Sequence, residues 1–321
     1  MSHRIDQMAY TGAAPWHKLG SELPANQPIE VWAKKAGMNW EIKDTPVCFQ
    51  THDSTGEQVQ PFQDQRVLYR SDNLQPLSVV GSRYQVVQPM EVLEFYRDLT
   101  EVSGFQLETA GVLKGGKKFW ALARTGQSTA LKGKDQVNGY VLLATSCDGT
   151  LATTATPTTV RVVCSNTLSV ALRDMSQGIR VSHSTAFDAQ AVKSRLGIAV
   201  SQWDEFMYRM KALSERKVKL KESEEFFTRL LKGAAPVPAS AESVGHDRAI
   251  KKLLYLYSGN GRGAELSAAK NTAWGLLCAV TEFVDHERRS RSSDHRLDSA
   301  WFGQGANLKQ RALDNALLLT S

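Results

Sequence analysis

The sequence predicts an α+β fold in which an antiparallel β-hairpin sheet with helices forms the N-terminal region and a helical C-terminal region follows. Short β-type runs broken by glycine turns occupy residues 40–163, and from Ser184 onward apolar residues recur every three or four positions. Hydrophobic residues make up 42% of the chain and charged residues 22%, which is typical of a folded globule. With 321 residues, the chain can bury a core without disulfide or metal support.

The first 40 residues are predicted to form a loop arm with one short helix at 29–36. Pro15, Pro24 and Pro28 fix the backbone there and remove hydrogen-bond donors. The β-type runs that follow are 40–43, 47–51, 66–70 and 77–87. A helix is predicted over 89–101, because proline suits a first helical turn and the apolar residues behind it share one face.

Two glycine-turned hairpins form the most regular part of the sequence. The predicted strands are 105–113 with 118–124, 136–146 with 150–163, and a last strand at 179–183. Gly115 and Gly116 turn the first hairpin and Asp148-Gly149 the second, since glycine tolerates positive φ. A short helix is predicted to begin near Asn166, whose side chain can cap free N–H groups.

The C-terminal region shows helical periodicity throughout. The residues of its first apolar stripe, on a helix of about 30 residues, are Val192, Leu196, Ala199, Trp203, Phe206, Met210 and Leu213. Further helices are predicted at 223–232, 246–257, 265–288 and 305–319. The predicted domains are 1–184 (α+β, with an N-terminal arm at 1–40), 185–232 (long helical region), 233–245 (linker) and 246–321 (C-terminal helical region).

The formal net charge is +6 and is unevenly distributed. Residues 1–100 carry −3, residues 101–184 carry +4 and residues 185–321 carry +5. This balance permits a nucleic-acid partner without requiring one. No apolar run is long enough to span a membrane, and the N-terminus lacks a signal-like apolar stretch. Four scattered cysteines indicate reduced thiols, so we expect a cytoplasmic protein.

Two glycine-rich segments resemble nucleotide-binding loops without meeting their requirements. Residues 111–117 have the spacing G-x-x-x-x-G-K, but Lys118 stands where a magnesium-binding Ser or Thr is needed, and a strand instead of a helix follows. Residues 259–263 follow a helix and lack the dinucleotide-binding spacing. The sequence therefore predicts no cofactor and no catalytic residue.

Several potential metal ligands lie close together near the C-terminus. They are Asp285, His286, Glu287, Asp294 and His295. The arginines between and beside them are Arg288, Arg289, Arg291 and Arg296. No known ligand spacing organises the acids and histidines, so we interpret the segment as local ion pairs and predict no metal site.

Basic and aromatic side chains are interleaved along the predicted hairpins. The candidate nucleic-acid-binding residues are Lys114, Lys117, Lys118, Trp120, Arg124, Lys132, Lys134, Tyr140, Arg161 and Arg173. Grooves for single-stranded nucleic acid use this mixture, since cations follow the phosphates and aromatic rings, here Trp120 and Tyr140, stack on bases. The alternative is a solvated basic edge that blocks strand aggregation, with Trp120 in the core and Arg161 paired with Asp148 or Asp174.

Four segments of the sequence are distinctive enough to indicate a protein family, which composition alone does not do. They are 15–20 (PWHKLG), 160–168 (VRVVCSNTL), 272–286 (TAWGLLCAVTEFVDH) and 300–309 (AWFGQGANLK). Together they resemble the phage/plasmid-like protein family that carries domain of unknown function 932, over nearly the whole chain. Cys278 stands where we expect Asn in the family pattern. The resemblance implies a mobile-element gene expressed in a bacterial host cell, and it implies no activity.

The layout also loosely resembles that of phage single-strand annealing proteins, which assemble into rings or filaments and need no ATP. We therefore expect a protein that binds single-stranded DNA in recombination or replication, as a homo-oligomer. The helix at 188–217 fits such an assembly, and its apolar stripe fits packing within one chain equally well. The alternative is a host-takeover or anti-defence protein that binds a host protein through Trp16, Trp32 and Trp40. A third hypothesis is a cryptic metal-dependent nuclease built on residues 285–295.

Overall fold

The structure, a computed structural model, describes residues 7–12, 20–53, 56–161, 163, 166–169, 178–201, 203–232 and 241–320. It divides into two compact units. The first unit comprises Met1–Thr125, Val141–Thr156 and Gly178–Gly197, and the second comprises Gly126–Tyr140, Pro157–Gln177 and Ile198–Ser321. The units are interleaved along the chain, whereas the predicted domains are contiguous. A mixed α+β structure is confirmed, although helices also lie between the early strands.

The described strands form two sheets. The strands are β1 (Gln7–Thr11), β2 (Ser21–Leu23), β3 (Ile42–Asp53), β4 (Gly56–Arg70), β5 (Pro76–Gly81), β6 (Gln106–Leu113), β7 (Lys118–Leu131), β8 (Asp135–Ser146), β9 (Thr153–Arg161), β10 (Asn166–Ser169) and β11 (Ile179–Val181). The larger sheet has the order β10-β9-β8-β7-β6-β1-β2, with β11 paired to β9. The smaller sheet has the order β3-β4-β5.

The first unit contains the best-predicted hairpin. Strands β6 and β7 pair antiparallel from Leu113 opposite Lys118, around a turn at Lys114–Gly116 in which Gly115 has a φ of 71°. Helix α2 (Pro89–Ser103) contacts the same sheet, and the Tyr96 hydroxyl lies within hydrogen-bond distance of the carbonyls of Ala121 (2.9 Å) and Val141 (3.0 Å). The predicted hairpin and helix are therefore confirmed.

Two expectations for short segments are wrong. Residues 7–11 and 21–23 are not part of a loop arm, because β1 pairs antiparallel with β6 and parallel with β2, which buries Met8 and Ala9. Residues 166–169 do not begin a helix, because they pair with β9 as β10. Residues 13–19 and 170–177, where the rest of these predictions fall, lie outside the described residues.

Most of the remaining helices belong to the second unit, whereas residues 189–197 belong to the first. The helices after α1 (Ile29–Lys35) and α2 are α3 (Ala189–Ser201), α4 (Trp203–Glu215), α5 (Leu220–Lys232), α6 (Ala241–Tyr255), α7 (Ala273–Glu282), α8 (Ser293–Phe302) and α9 (Gln304–Leu317). Every residue of α7 is buried. None of the described helices is long and apolar enough to cross a membrane.

The predicted apolar stripe packs inside this chain. It lies on α3 and α4, on either side of residue 202, which the structure does not describe. Phe206, Met210 and Leu213 join the core of the second unit, so this face is not left open for a second subunit. The helix predicted from residue 265 begins only at Ala273, where the Thr272 hydroxyl caps it by accepting from the Gly275 N–H (3.1 Å). Of the predicted linker, residues 241–245 are helical.

Candidate phosphate-binding site

The described predicted binding residues are divided between the two units, with Lys114 to Arg124 in the first and Lys132 to Arg161 in the second. Four of them are buried. They are Lys118, Trp120, Tyr140 and Arg161, each exposed by 5% or less. Base stacking needs an accessible ring face, so the stacking roles predicted for Trp120 and Tyr140 are wrong. Trp120 instead packs against Gly111, where a Cβ atom would lie 2.2 Å from the indole ring.

The remaining predicted residues are more accessible. Lys114, Lys117 and Arg124 are half-buried, and Lys132 and Lys134 are exposed at the turn between β7 and β8. Lys132 forms an ion pair with Glu215 at 3.3 Å. Arg173 lies outside the described residues. The predicted set thus does not form a single exposed basic and aromatic surface.

Arg161 has an interior role in the second unit. Its guanidinium makes two hydrogen bonds of 2.7 Å to the carboxylate of Asp135. Of the two partners predicted for it, Asp174 lies outside the described residues. The Trp274 indole donates to the same carboxylate at 2.9 Å. Arg161 also donates to the carbonyl oxygens of Arg262 and Gly263. This buried arrangement ties a strand end to the glycine-rich loop at 259–263, and it commits at least four of the five guanidinium N–H groups to protein acceptors.

A different group of cations surrounds a concavity of about 480 Å³ in the second unit. The residues of this arginine pocket are Arg288, Arg289, Arg291, His295 and Arg296, with Ser290, Ser299 and Gln304 between them. Local structure explains the cluster, because the helical turn Phe283–Glu287 ends at Arg288, which has extended backbone angles. The chain then crosses to α8, whose first turn is capped when Ser292 Oγ accepts from the His295 N–H (3.2 Å).

The arginine pocket is held in place without being neutralised. Arg288 donates to the side-chain oxygen of Gln304 (3.2 Å), and Arg296 donates to the main-chain carbonyl of His286. Both acceptors are uncharged. The other terminal nitrogen of Arg288 is buried and has no hydrogen-bond partner among the described atoms. Arg289 and Arg291 are exposed, and α8 directs the positive end of its dipole toward the same segment.

The neighbouring acids bind other cations. Asp285 is buried in an ion pair with Lys309 (2.9 Å), and Glu287 pairs with Lys252 (2.9 Å). The prediction that the acids pair locally with the arginines is therefore wrong for these two carboxylates. Within the part of the chain that the structure describes, no three His, Cys, Asp or Glu side chains are placed to hold a metal ion. The arginines thus keep their charge for an external anion.

Sequence reasoning identified these arginines only as counter-ions. The available signal was their density, since four arginines fall within residues 288–296. The tryptophans proposed as protein-binding anchors are also interior, because Trp32 and Trp40 are both buried, and Trp16 lies outside the described residues.

Comparison with known proteins gives a single result. A family model described as a domain of unknown function (DUF932) matches residues 76–301. This span includes the arginine pocket up to Ser299, and it covers Arg161 and Trp274. No curated protein and no solved structure matches the chain.

Proposed function

The chain belongs to the DUF932 family, whose description names no activity, and from this premise we propose that the protein binds single-stranded DNA through the phosphates. The arginine pocket is the proposed contact. A role in recombination or replication, with ATP-independent annealing and a phage or plasmid origin, belongs to the same proposal. The observation that carries the proposal is a concave cluster of arginines whose described contacts are with uncharged acceptors, while the neighbouring Asp285 and Glu287 are paired with lysines.

The chemistry of the pocket suits phosphodiesters. Arginine presents a planar fork of N–H donors that matches two phosphate oxygens, and it stays charged at every physiological pH. The free N–H groups in the first turn of α8 add donors of the same kind. Such a pocket contacts the sugar–phosphate backbone of the nucleic acid and does not distinguish one base from another.

The buried aromatic rings support this form of binding. With Trp120 and Tyr140 in the core, the rings proposed for stacking are not available. A strand that is held by its phosphates keeps its base edges free to pair with a complementary strand. Annealing requires that the base edges stay free, so binding through the phosphates suits it better than binding in which the bases stack on aromatic side chains.

The test is fluorescence anisotropy of a labelled oligonucleotide with the full chain at about 50 and about 200 mM salt. Arg289→Ala/Arg291→Ala removes two exposed cations that support no described internal contact. Each phosphate contact on single strands contributes about 0.7 to the salt slope, so the double variant should lower the slope by about 1.4. The loss of affinity over this salt interval should then shrink by about sevenfold.

The matched control is Lys34→Ala/Lys35→Ala, which removes the same charge from an exposed helix end in the first unit. We expect its salt slope to equal that of the wild type. The proposal is wrong if the wild type does not bind, if its binding is insensitive to salt, or if both double variants behave alike.

A further inference from the structure

The smaller sheet extends into a two-stranded arm. Strands β3 and β4 pair from Ile42 opposite Arg70 to Asp53 opposite Gly56, but β5 pairs only with the Gln65–Tyr69 part of β4. We call residues 45–65 the hairpin arm. Beyond β5 the arm has no third strand, and nearly all of its described residues are exposed. A lone two-stranded ribbon is only marginally stable in water, so a surface that covers it would stabilise it.

The arm exposes large apolar side chains. Phe49 is 48% exposed and Phe62 is 46% exposed. Phe62 lies opposite Val47, and Phe49 follows two residues later, so all three side chains are on one face of the ribbon. Val59, which is 63% exposed, is on the other face. Aromatic residues of this kind anchor protein interfaces.

The charge of the arm limits what can cover it. The arm contains Asp53, Glu57 and Asp64 and no Lys or Arg, so its formal charge is −3. Because the whole chain has a net charge of +6, the residues outside the arm carry +9. Phosphates would be repelled by the arm, and two arms packed together would repel each other. A surface from the basic remainder of a second copy would attract it.

The second unit presents a surface with exposed lysines around an exposed leucine. We call it the lysine patch, and its residues are Lys217, Lys219, Leu220 and Lys221, all exposed. Leu220 is 65% exposed. Of the acids in the same stretch, Glu215 and Glu222 pair with Lys132 and Arg216, and the exposed Glu224 and Glu225 lie further along α5. The turn that carries the patch is fixed, because the Val218 N–H donates to Asn271 O (3.0 Å) and Val218 O accepts from the Tyr257 hydroxyl (3.1 Å). The patch is therefore preorganised.

We propose that the hairpin arm of one copy of the chain docks on the lysine patch of a second copy. Phe49 and Phe62 then pack around Leu220, and the acids of the arm face the lysines. Because arm and patch are different surfaces, the contact is heterologous and repeats from copy to copy into a ring or a filament. The contact goes beyond the proposed DNA binding, and it replaces the helix at 188–217 as the assembly surface.

The experiment is analytical ultracentrifugation of the full chain in a dilution series at low and high salt. We expect a mass that is a multiple of 35.5 kDa and that falls on dilution and on adding salt. Phe49→Ser/Phe62→Ser should raise the dissociation constant of the contact between copies. Each lost phenylalanine should raise it by at least about thirtyfold, the threshold for an interface hot spot. Leu74→Ser/Leu318→Ser removes two apolar side chains elsewhere that are more exposed, at 72% and 70%, and should leave the mass unchanged.

Charge exchange tests the pairing of the two surfaces. Glu57→Lys and Lys219→Glu should each weaken the assembly, and the chain that carries both changes should regain it. The proposal fails if the wild type is a monomer at every concentration, if the arm variant keeps its assembly, or if a different protein is the only molecule that the arm binds. Because the arm variant retains Arg289 and Arg291, its salt slope on oligonucleotides tests DNA binding separately.

Discussion

Breaking the ion pair between Asp135 and Arg161 should strongly destabilise the second unit. The Asp135 side chain is fully buried, and that of Arg161 is 4% exposed. Asp135→Leu leaves the guanidinium without its counter-charge, and Arg161→Met leaves the carboxylate with only the Trp274 indole as a charge-stabilising donor. Removing one partner of a buried pair costs about 3–5 kcal/mol, and we expect a loss of that size for each single variant.

The double variant Asp135→Leu/Arg161→Met separates the charge effect from packing. It leaves no uncompensated ion, although the Trp274 N–H and two carbonyl oxygens still lose partners at about 1–3 kcal/mol each. We therefore expect the double variant to cost less than the sum of the two single losses, with a coupling free energy of about 1.5 kcal/mol or more.

Urea unfolding followed by circular dichroism measures all four proteins. Additive costs, or single losses below about 1 kcal/mol, would mean that water reaches the pair and would refute its burial. Under native conditions Arg161→Met should keep the wild-type salt slope on oligonucleotides, because Arg161 is buried and at least four of its five N–H groups donate to protein oxygens. A reduced slope would return Arg161 to the binding surface.

Three further outcomes follow from the same structure. Gly275→Ala places a Cβ 2.0 Å from a backbone carbonyl oxygen and should cost about 1–3 kcal/mol in urea unfolding, whereas Gly197→Ala, in an open helical position, should stabilise by roughly 0.5–1 kcal/mol. Burial raises the pKa of Glu282 above its usual 4.5, so the folded state binds this proton more tightly than the unfolded state does. The free energy of unfolding should therefore fall as the pH rises from about 4.5 toward the raised pKa. Glu282→Gln should remove this pH dependence from the free energy of unfolding measured across pH. Burial raises the pKa of Cys147 to about 12, so alkylation of the native protein near neutral pH, read by mass spectrometry, should modify Cys48 and spare Cys147.

Local chemistry explains which elements were predictable. The β6–β7 hairpin follows from Gly115 and Gly116, since a turn with positive φ is specified by its own residues. Helix α2 follows from Pro89 at its first position and from the apolar residues behind it that share one face. Both signals lie within a few residues of the structure they determine, so one sequence is enough to find them.

The length of the two strands in the hairpin arm was not predicted, because the arm lacks a local sequence signal of this kind. Residues 56–65 show no alternation of apolar and polar residues, because neither face of the ribbon is buried and no pattern is required. Strand β1 was missed because its place in the sheet depends on β6, about a hundred residues away in sequence. Such pairing is a property of the folded chain and leaves little trace in the segment itself.

The cations show most clearly what composition leaves out. Arg161 and Arg289 are chemically identical, and Arg161 has the better local context for binding because it ends a strand beside a predicted cap. In the fold, Arg161 binds the carboxylate of Asp135, whereas Asp285 and Glu287, which precede Arg289, bind Lys309 and Lys252. A cation attracts an external anion only to the extent that the fold leaves it without an internal one. Sequence gives the number of charges, and these long-range partners decide which charges remain for binding. For this reason a net charge of +6 agrees with both the buried pair and the open pocket, and only the salt slopes of matched variants can tell the two kinds of arginine apart.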